Sequence, residues 1–329
     1  MTNILVTGAA GYIGSHACKA LAKEGYIPIG YDNLVNGHPW AVRWGPFENG
    51  DIADKSRLDE VILRYKPEAI MHFAAYAYVR ESVQNPLKYY RNNVAGSITL
   101  LEAICKHGID RFIFSSTCAI YGPPEVLPIP EMHTPRPSNP YGKSKLMVEQ
   151  MLKDLDLTYG VRSVSLRYFN AAGADIEAEI GEDHNPETHL IPLVLDTAMG
   201  RRQNITIYGD DYPTPDGTCI RDYLHVADLV DAHILALRHL EKGGQTSCFN
   251  LGNGKGFSVK EVIETAGRVT GKKIPTVLSS RQAGDLPILV GDARLAMRDL
   301  GWSPKFSSLE TQIQHAWEWH QQHFKKIEQ

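Results

Sequence analysis

The chain lacks the features that mark membrane, secreted and nucleic-acid-binding proteins. No apolar run approaches the ~20 residues that span a bilayer, and the N-terminus has neither the basic segment nor the sustained apolar stretch of a signal peptide. The net charge is −4 and there is no long basic run, which argues against nucleic acid as the primary partner.

Cysteine is also scarce and unpatterned. The chain has five cysteines, an odd number, and no C-x-x-C pair. This argues against a disulfide framework or a zinc knuckle and indicates a reducing compartment, so we expect a cytoplasmic protein. His320-x-x-His323 has no further ligand residues nearby in the sequence, and we predict no metal site there.

What is present is an ordinary soluble composition, 43% hydrophobic and 22% charged, over 329 residues. That length exceeds one usual core, so one large or two coupled domains are expected. We predict a first domain over 1–175 and a second over 176–329, with an approximate boundary that some elements cross.

A glycine-rich turn opens the chain. The apolar run Asn3–Thr7 leads into Gly8-x-x-Gly11-x-x-Gly14, then a helical pattern, then a second strand that ends at Asp32. This order is typical of a dinucleotide-binding unit, in which the glycines let a pyrophosphate approach the helix N-terminus. Asp32 would accept hydrogen bonds from the ribose hydroxyls and repel a 2′-phosphate, which favours NAD over NADP. The alternative is a glycine turn beside a surface aspartate.

Strand and helix patterns then alternate, which predicts a doubly wound parallel α/β sheet. Polar or small residues follow several of the predicted strands: Asp51, Ala74-Ala75 and Ser115–Thr117. Ligands of such sheets bind beyond the carboxyl ends of the strands. We therefore expect the active site at that edge.

Tyr141 and Lys145 lie four residues apart near the start of a predicted helix, and hence on one face. A phenol beside a fixed cation is a candidate base, because the cation favours the phenolate. A free Tyr has a pKa of about 10, so action near pH 7 needs ~4 kcal/mol of differential stabilisation. The alternative is an ordinary pair on a solvated helix, and the preceding strand end argues against it.

The C-terminal half is less regular. Residues 173–189 are polar and are expected to form a loop that folds over a ligand. Gly252-x-Gly254-x-Gly256 repeats the strand–glycine–helix order, but no acid follows at a strand end, so we interpret it as a structural turn.

Together the glycine triplet and the motifs SST…YGKSK, RYFNAAG and DGTCIRDYLHV resemble the extended short-chain dehydrogenase/reductase superfamily. More closely, nearly the whole chain resembles the UDP-glucose (UDP-galactose) 4-epimerases. The resemblance implies a Rossmann-like NAD domain, a smaller C-terminal α/β nucleotide-sugar domain and a homodimer. The implied enzyme is an isomerase of carbohydrate metabolism that epimerises C4 of a UDP-hexose through a transient 4-keto sugar and tightly bound NAD. HFAAYAYV, SSTCAIYG and ETHLIP also resemble relatives acting on UDP-pentoses, so UDP-xylose/UDP-arabinose interconversion stays open.

By this resemblance, Tyr141 is the catalytic base, Lys145 lowers its pKa and holds the nicotinamide ribose, and Thr117 bonds the sugar 4′-oxygen. The implied NAD site comprises Gly8, Gly11, Tyr12, Ile13, Gly14, Asp32, Asn33, Asn36, Asp51, Ile52, Phe73, Ala74, Ala75, Asn92, Ser115, Tyr141, Lys145 and Tyr168. The implied UDP-sugar site comprises Thr117, Tyr141, Asn170, Leu190, Tyr208, Arg221, Arg281, Asp285 and Leu289.

The chain departs from the family pattern at four positions. Ala77 stands where Lys is frequent, Arg80 where Gly is usual, His189 where Asn is usual, and Gln282 where an Arg commonly meets the phosphate. Leu289 matches the position that gates the sugar pocket by size, and we expect it to disfavour 2-acetamido sugars.

Three other functions compete with epimerisation. A nucleotide-sugar dehydratase needs an acid pair directly after the Thr, where this chain has Cys118 and Ala119. A net reductase needs exchangeable NAD(P)H. A non-catalytic NAD-sensing protein can lack the Tyr or the Lys, and both are present here. The apolar helical segments 86–107 and 141–159 are the predicted dimer interface.

Overall fold

The computed structural model describes residues 1–282 and 284–327. Ala283, between Gln282 and the predicted sugar-site residue Asp285, and the last two residues of the predicted second domain lie outside the described residues. The strands are β1 (Asn3–Thr7), β2 (Ile27–Asp32), β3 (Phe47–Asn49), β4 (Ala69–His72), β5 (Arg111–Ser115), β6 (Arg162–Tyr168), β7 (Asn170–Ala172), β8 (Ile205–Tyr208), β9 (Ile220–Arg221), β10 (Tyr223–His225), β11 (Ser247–Leu251), β12 (Phe257–Ser258), β13 (Thr276–Ser279) and β14 (Ile288–Leu289). The helices are α1 (Tyr12–Lys23), α2 (Lys55–Tyr65), α3 (Val79–Gln84), α4 (Pro86–Tyr89), α5 (Ser97–His107), α6 (Pro140–Tyr159), α7 (Leu190–Met199), α8 (Val226–Glu241), α9 (Val259–Thr270), α10 (Arg294–Asp299) and α11 (Leu309–Ile327).

A seven-stranded parallel sheet with the order β3-β2-β1-β4-β5-β6-β11 forms the larger part of the molecule. The strand order reverses between β1 and β4, which opens a crevice at the carboxyl ends of these two strands. The predicted doubly wound α/β fold is confirmed.

Both faces of this sheet are buried, because alternate residues of each strand enter different cores. Ile4 and Val6 of β1 pack with α1 and α8, whereas Leu5 between them packs with α2 and α5. A parallel strand covered on both faces has a continuous apolar sequence, as the ILV segment of β1 does.

The helix that carries the candidate base has a defined start and end. The Asn139 side chain accepts a hydrogen bond of 2.8 Å from the Gly142 amide, and Pro140 occupies the first helical turn. Gly160, with φ of 69°, ends the helix in the left-handed conformation. These caps fix the position of Tyr141 and Lys145 along α6.

The segment 86–107, predicted as one long helix, is divided. A π-helical stretch, Tyr90–Gly96, joins α4 to α5. Within it the Asn93 amide bonds both the N–H and the C=O of Tyr76, each at 2.9 Å, and the Ser144 hydroxyl at 3.2 Å. The wider turn therefore ties the end of β4 to α6. Such π-helical turns are frequent at functional sites.

A third core lies among α7, α9 and α11, beside the short sheets β13-β8, β12-β9-β14 and β10-β7. The chain nevertheless returns to the large sheet after residue 176, because α8 packs on β5 and β6 and β11 pairs with β6. The division at residue 175 stays a prediction, with α8 and β11 crossing it. Within the described ranges, no helix combines the length and the apolar character that crossing a membrane requires.

Candidate active site

A cavity of about 600 Å³ opens at the carboxyl ends of the sheet strands and extends to β9 and β14. Its lining includes every predicted NAD-site residue except Asp51. Of the predicted sugar-site residues it includes Thr117, Tyr141, Asn170, Arg221, Asp285 and Leu289.

The glycine turn leaves no room for side chains at Gly8 and Gly14. A Cβ on Gly8, whose φ is +76°, would lie 2.6 Å from the Ala74 nitrogen, and one on Gly14 would lie 2.0 Å from the Gly8 oxygen. The backbone of the turn and the N-terminus of α1 are thus directly exposed to the cavity. Such a surface suits a pyrophosphate, since unpaired N–H groups and the helix dipole both favour an anion.

Asp32 presents a nearly buried carboxylate at the end of β2. It accepts hydrogen bonds from the Leu34 amide at 2.8 Å and the Ala10 amide at 3.0 Å. Burial raises the pKa of this carboxyl, and the two amides oppose the rise. Asp51 lies behind this position and holds the Asn33 side chain, with an Nδ2–Oδ2 distance of 2.8 Å. Asp51 thereby orients a lining residue from outside the cavity.

Tyr141 and Lys145 project from α6 into the cavity and are both buried. The Lys145 Nζ donates to the Ser115 carbonyl at 2.8 Å and lies 4.9 Å from the centre of the Phe114 ring. Burial lowers the pKa of Lys145 to about 7, and the Glu149 carboxylate opposes that shift.

The pKa of Tyr141 in the protein alone shifts upwards, whereas a catalytic base needs a lowered pKa. Burial, followed by the neighbouring Tyr168, raises the pKa of Tyr141, while the Thr117 hydroxyl acts to lower it. The protein groups alone therefore favour the protonated phenol, because burial is the largest effect on it. The lowered pKa that makes Tyr141 a base stays a prediction for the protein with a cationic ligand beside the ring.

The carboxyl end of β5, next to Tyr141 and Lys145, is held in place by hydrogen bonds to neighbouring side chains. The Ser116 hydroxyl donates to Glu149 Oε1 at 2.5 Å, and Glu149 Oε2 pairs with Arg167 Nη2 at 2.6 Å. Both members of the ion pair are almost fully buried. The Thr117 Oγ1 accepts from the Ala119 amide at 3.1 Å, and Ser115 bonds the Tyr168 hydroxyl. These contacts fix the Thr117 side chain beside Tyr141.

The other end of the cavity is formed by β9 and β14. Arg221 donates through Nη1 to the Leu286 carbonyl at 2.8 Å and to the Ile220 carbonyl at 2.9 Å. Leu289 pairs with Arg221 across the two strands and packs against a small apolar cluster around Ile120. A charged fork and an apolar side chain thus face the same part of the cavity.

Three predicted sugar-site residues lie elsewhere in the structure. Arg281 pairs with Asp211, at 2.6 Å between Nε and Oδ1, and its guanidinium lies over the Tyr212 ring. The Tyr208 ring lies 5.4 Å from the guanidinium of Arg80. Leu190 is the first residue of α7. Among the departures from the family pattern, Ala77, Arg80 and His189 line the cavity, and the Gln282 carbonyl accepts from the Asp285 amide at 3.2 Å.

Two buried residues that sequence reasoning did not single out support the site. Asn93 ties β4 to α6, as described above. The Asp222 carboxylate accepts from the amides of Asn253 at 2.8 Å, Gly291 at 3.1 Å and Gly254 at 3.2 Å. Asp222 therefore holds the second glycine turn against β14, and burial raises its pKa to about 6. The sequence offered one signal for each residue: Asn93 follows the predicted NAD-site residue Asn92, and Asp222 follows the predicted sugar-site residue Arg221.

Comparison with known families and proteins gives concordant results. Residues 4–252 match the model of the NAD dependent epimerase/dehydratase family. The chain is 52% identical over 318 residues to a UDP-glucose 4-epimerase of Rhizobium meliloti (strain 1021), covering 97% of each chain.

Solved structures agree with this result. A crystal structure of UDP-glucose 4-epimerase from Brucella ovis in complex with NAD matches with a TM-score of 0.95 and 52% identity, covering 97% of this chain and 98% of that one. A UDP-glucose-4-epimerase from Stenotrophomonas maltophila, with bound NAD and formylated UDP-arabinopyranose, matches with a TM-score of 0.95 and 38% identity, covering 99% and 100%.

Proposed function

Because the chain belongs to the NAD dependent epimerase/dehydratase family, we propose that it interconverts UDP-glucose and UDP-galactose by reversible epimerisation at C4. The relatives with 52% identity carry the name UDP-glucose 4-epimerase, which favours a hexose over a pentose. The observation that carries the proposal is the convergence of Tyr141, Lys145 and Thr117 in one cavity with the glycine turn and Asp32.

The cavity residues fit NAD. The crowded glycine turn would hold the pyrophosphate, and Asp32, which lines the same cavity, would accept hydrogen bonds from the adenosine ribose hydroxyls. A 2′-phosphate would face that carboxylate, so the site selects NAD over NADP. When bound, NAD supplies a hydride acceptor and donor, so the sugar is oxidised and then reduced with no net redox change.

Tyr141 carries the proton transfer. Its phenolate takes the proton of the sugar 4′-hydroxyl and returns it after the 4-keto sugar has turned. Burial raises the pKa of Tyr141 in the protein alone, and a cationic group held beside the ring, such as the oxidised nicotinamide of bound NAD, would favour the phenolate.

Lys145 and Thr117 position the reacting groups. Lys145 is anchored to the Ser115 carbonyl, and its remaining donors are available to ribose hydroxyls of the cofactor. Thr117 is held beside Tyr141 and bonds the sugar 4′-oxygen, which keeps the proton path short. Enclosure of these groups keeps the 4-keto sugar from water.

The UDP moiety is anchored away from the reacting carbon. Arg221 offers its guanidinium fork to the diphosphate, which suits that geometry better than a lysine would. Asn170 and Asp285 line the same region. Anchoring the nucleotide while the sugar is free to rotate lets the two faces of C4 be presented in turn. Leu289 limits the space around the sugar.

The test combines one substitution with a substrate comparison. Tyr141→Phe should abolish turnover of UDP-galactose and leave NAD bound, because the ring is kept and the acidic hydroxyl is lost. Tyr159→Phe, at the exposed end of the same helix, is the matched control and should retain full activity. The C4 epimers of UDP-galactose, UDP-xylose and UDP-N-acetylglucosamine are scored by NMR. Undiminished activity of Tyr141→Phe would contradict the mechanism, and faster turnover of UDP-xylose would favour the pentose activity.

We also propose a cytoplasmic homodimer. In support, Leu87 on α4 and Met147 on α6 are exposed apolar side chains, and these two helices pack together. The five cysteines, all within the described residues, are free thiols, which suits a reducing compartment.

A further inference from the structure

A compact group of two imidazoles and two carboxylates lies in the loop between β7 and α7. It consists of Glu182, His184, Glu187 and His189, and is called here the His–Glu cluster. One ligand atom from each residue lies within 4.8 Å of all the others. Three of its members, Glu182, His184 and His189, line the wall of the cavity.

Two of the four separations within the cluster match those around a tetrahedral metal ion, and the other two are hydrogen-bond lengths that would widen when an ion enters. His189 Nδ1 lies 2.8 Å from Glu182 Oε1 and 3.0 Å from Glu187 Oε1. His184 Nδ1 lies 3.4 Å from Glu182 Oε1 and from Glu187 Oε2. With Zn–N and Zn–O bonds of about 2.0–2.2 Å, ligand atoms around tetrahedral zinc lie about 3.3–3.6 Å apart.

One nitrogen of the cluster is left without a hydrogen bond. His184 Nδ1 is buried and has no hydrogen-bond partner among the described residues, although two carboxylates lie 3.4 Å away. A buried imidazole nitrogen normally has a partner. Here the ring nitrogen lies 3.4 Å from each of two carboxylates, too far for a well-formed hydrogen bond and close to the spacing of two ligands of one ion.

We propose that the His–Glu cluster binds one divalent transition-metal ion, with Zn²⁺ the best match to two imidazole nitrogens and two carboxylate oxygens. The site is separate from Tyr141, Lys145 and Thr117. Its metal would cross-link the loop to the start of α7 and hold the cavity wall in place, and it takes no part in the transfer of the proton or of electrons.

The charges of the four residues suit a divalent ion. With neutral imidazoles, the carboxylates of Glu182 and Glu187 balance the two positive charges of one divalent cation. A bound ion would therefore leave no net charge in this partly buried site.

The chain contains an acidic group that serves as a control. Asp175, Glu177 and Glu179 also cluster, but the Lys19 ammonium already contacts all three at 2.6–2.8 Å. This second group lacks imidazole and is already neutralised in part by a cation. Glu177→Gln removes a carboxylate there and leaves the His–Glu cluster intact.

The test measures metal uptake by the full NAD-loaded chain. The protein is treated with EDTA, incubated with ZnCl₂, desalted and assayed for zinc, and a parallel sample receives Co²⁺. We expect about one zinc per chain and the intense visible absorption of four-coordinate Co²⁺. Glu187→Gln and His184→Gln should each weaken zinc binding at least about tenfold, and Glu177→Gln should leave it unchanged. Retention of NAD by each variant verifies that it is folded.

Two results would overturn the proposal. Uptake well below one zinc per chain, with no visible cobalt spectrum, would mean that the cluster is an ion-pair network only. Uptake that persists in Glu187→Gln and His184→Gln, or that is lost in Glu177→Gln, would place the metal on other residues. Neither result bears on epimerase activity, which is measured separately with UDP-galactose.

Discussion

Replacing Lys145 with Met is expected to abolish turnover and, at neutral pH, to stabilise the NAD-free protein. Met has a similar length and no charge, so it fills the same buried space beside Phe114. The substitution removes the donor to the Ser115 carbonyl and the group that positions the cofactor ribose. Activity should fall at least about 100-fold. The stability of the fold should change in the opposite direction, because burial disfavours the lysine charge.

The free-energy penalty that the buried Lys145 charge imposes on the fold follows from the pKa of this lysine. A change from its ordinary value of 10.5 to about 7 on folding corresponds to about 5 kcal/mol. This penalty is fully present below pH 7, where Lys145 is charged in both states. It disappears as the pH rises towards 10.5, because the unfolded chain then loses its proton too. The penalty is about 4 kcal/mol at pH 7 and about 2 kcal/mol at pH 9. The lost hydrogen bond offsets about 1–3 kcal/mol at every pH.

The diagnostic quantity is the pH dependence of the difference between the two proteins. Urea unfolding of NAD-free wild type and Lys145→Met, measured at pH 7 and pH 9, gives this difference directly. We expect the advantage of the variant to shrink by about 2 kcal/mol over this interval. A difference that stays constant between the two pH values would show that Lys145 titrates normally in the fold, and the reasoning would be refuted.

Three further predictions concern specificity, the core and assembly. Wild-type turnover of UDP-N-acetylglucosamine should be at least about 100-fold below that of UDP-galactose, and Leu289→Cys should raise it about tenfold; efficient wild-type turnover would disprove the size gate. Glu149→Gln leaves the buried Arg167 charge without its carboxylate and should cost about 3–5 kcal/mol in urea unfolding, a loss that Glu149→Gln/Arg167→Met should partly recover. In light scattering the wild type should be a dimer and Leu87→Asp a monomer, and a wild-type monomer would rule out the assembly.

The sequence predicts the sheet well, because its signals are local. The apolar runs, the glycine turn and the capping residues of α6 each act within a few neighbouring residues. The short strands β7, β9, β10, β12 and β14 were not predicted, since strands of two or three residues lack a periodic pattern. The π-helical turn was also missed, because it depends on contacts that Asn93 makes with residues distant in the chain.

The candidate site, like the sheet, can be predicted from the sequence where its residues belong to local motifs. Residues in motifs at strand ends, such as Asp32 and Thr117, line the cavity. The support given by Asp222 and the Glu149–Arg167 pair arises from segments far apart in sequence, so spacing alone does not reveal it. The pKa of Tyr141 could not be deduced from the Y-x-x-x-K spacing, since burial dominates it.

The return of the chain to the large sheet determines how this protein can be made. β11 completes the sheet beside β6, and α8 covers the core beneath it, yet both are synthesised after much of the smaller unit. During translation, the edge of β6 and the apolar surface beneath α8 stay uncovered until residue 251 has left the ribosome. The N-terminal 175 residues are therefore expected to aggregate when expressed alone. Chimeras that exchange the smaller unit between relatives must carry α8 and β11 with the large sheet.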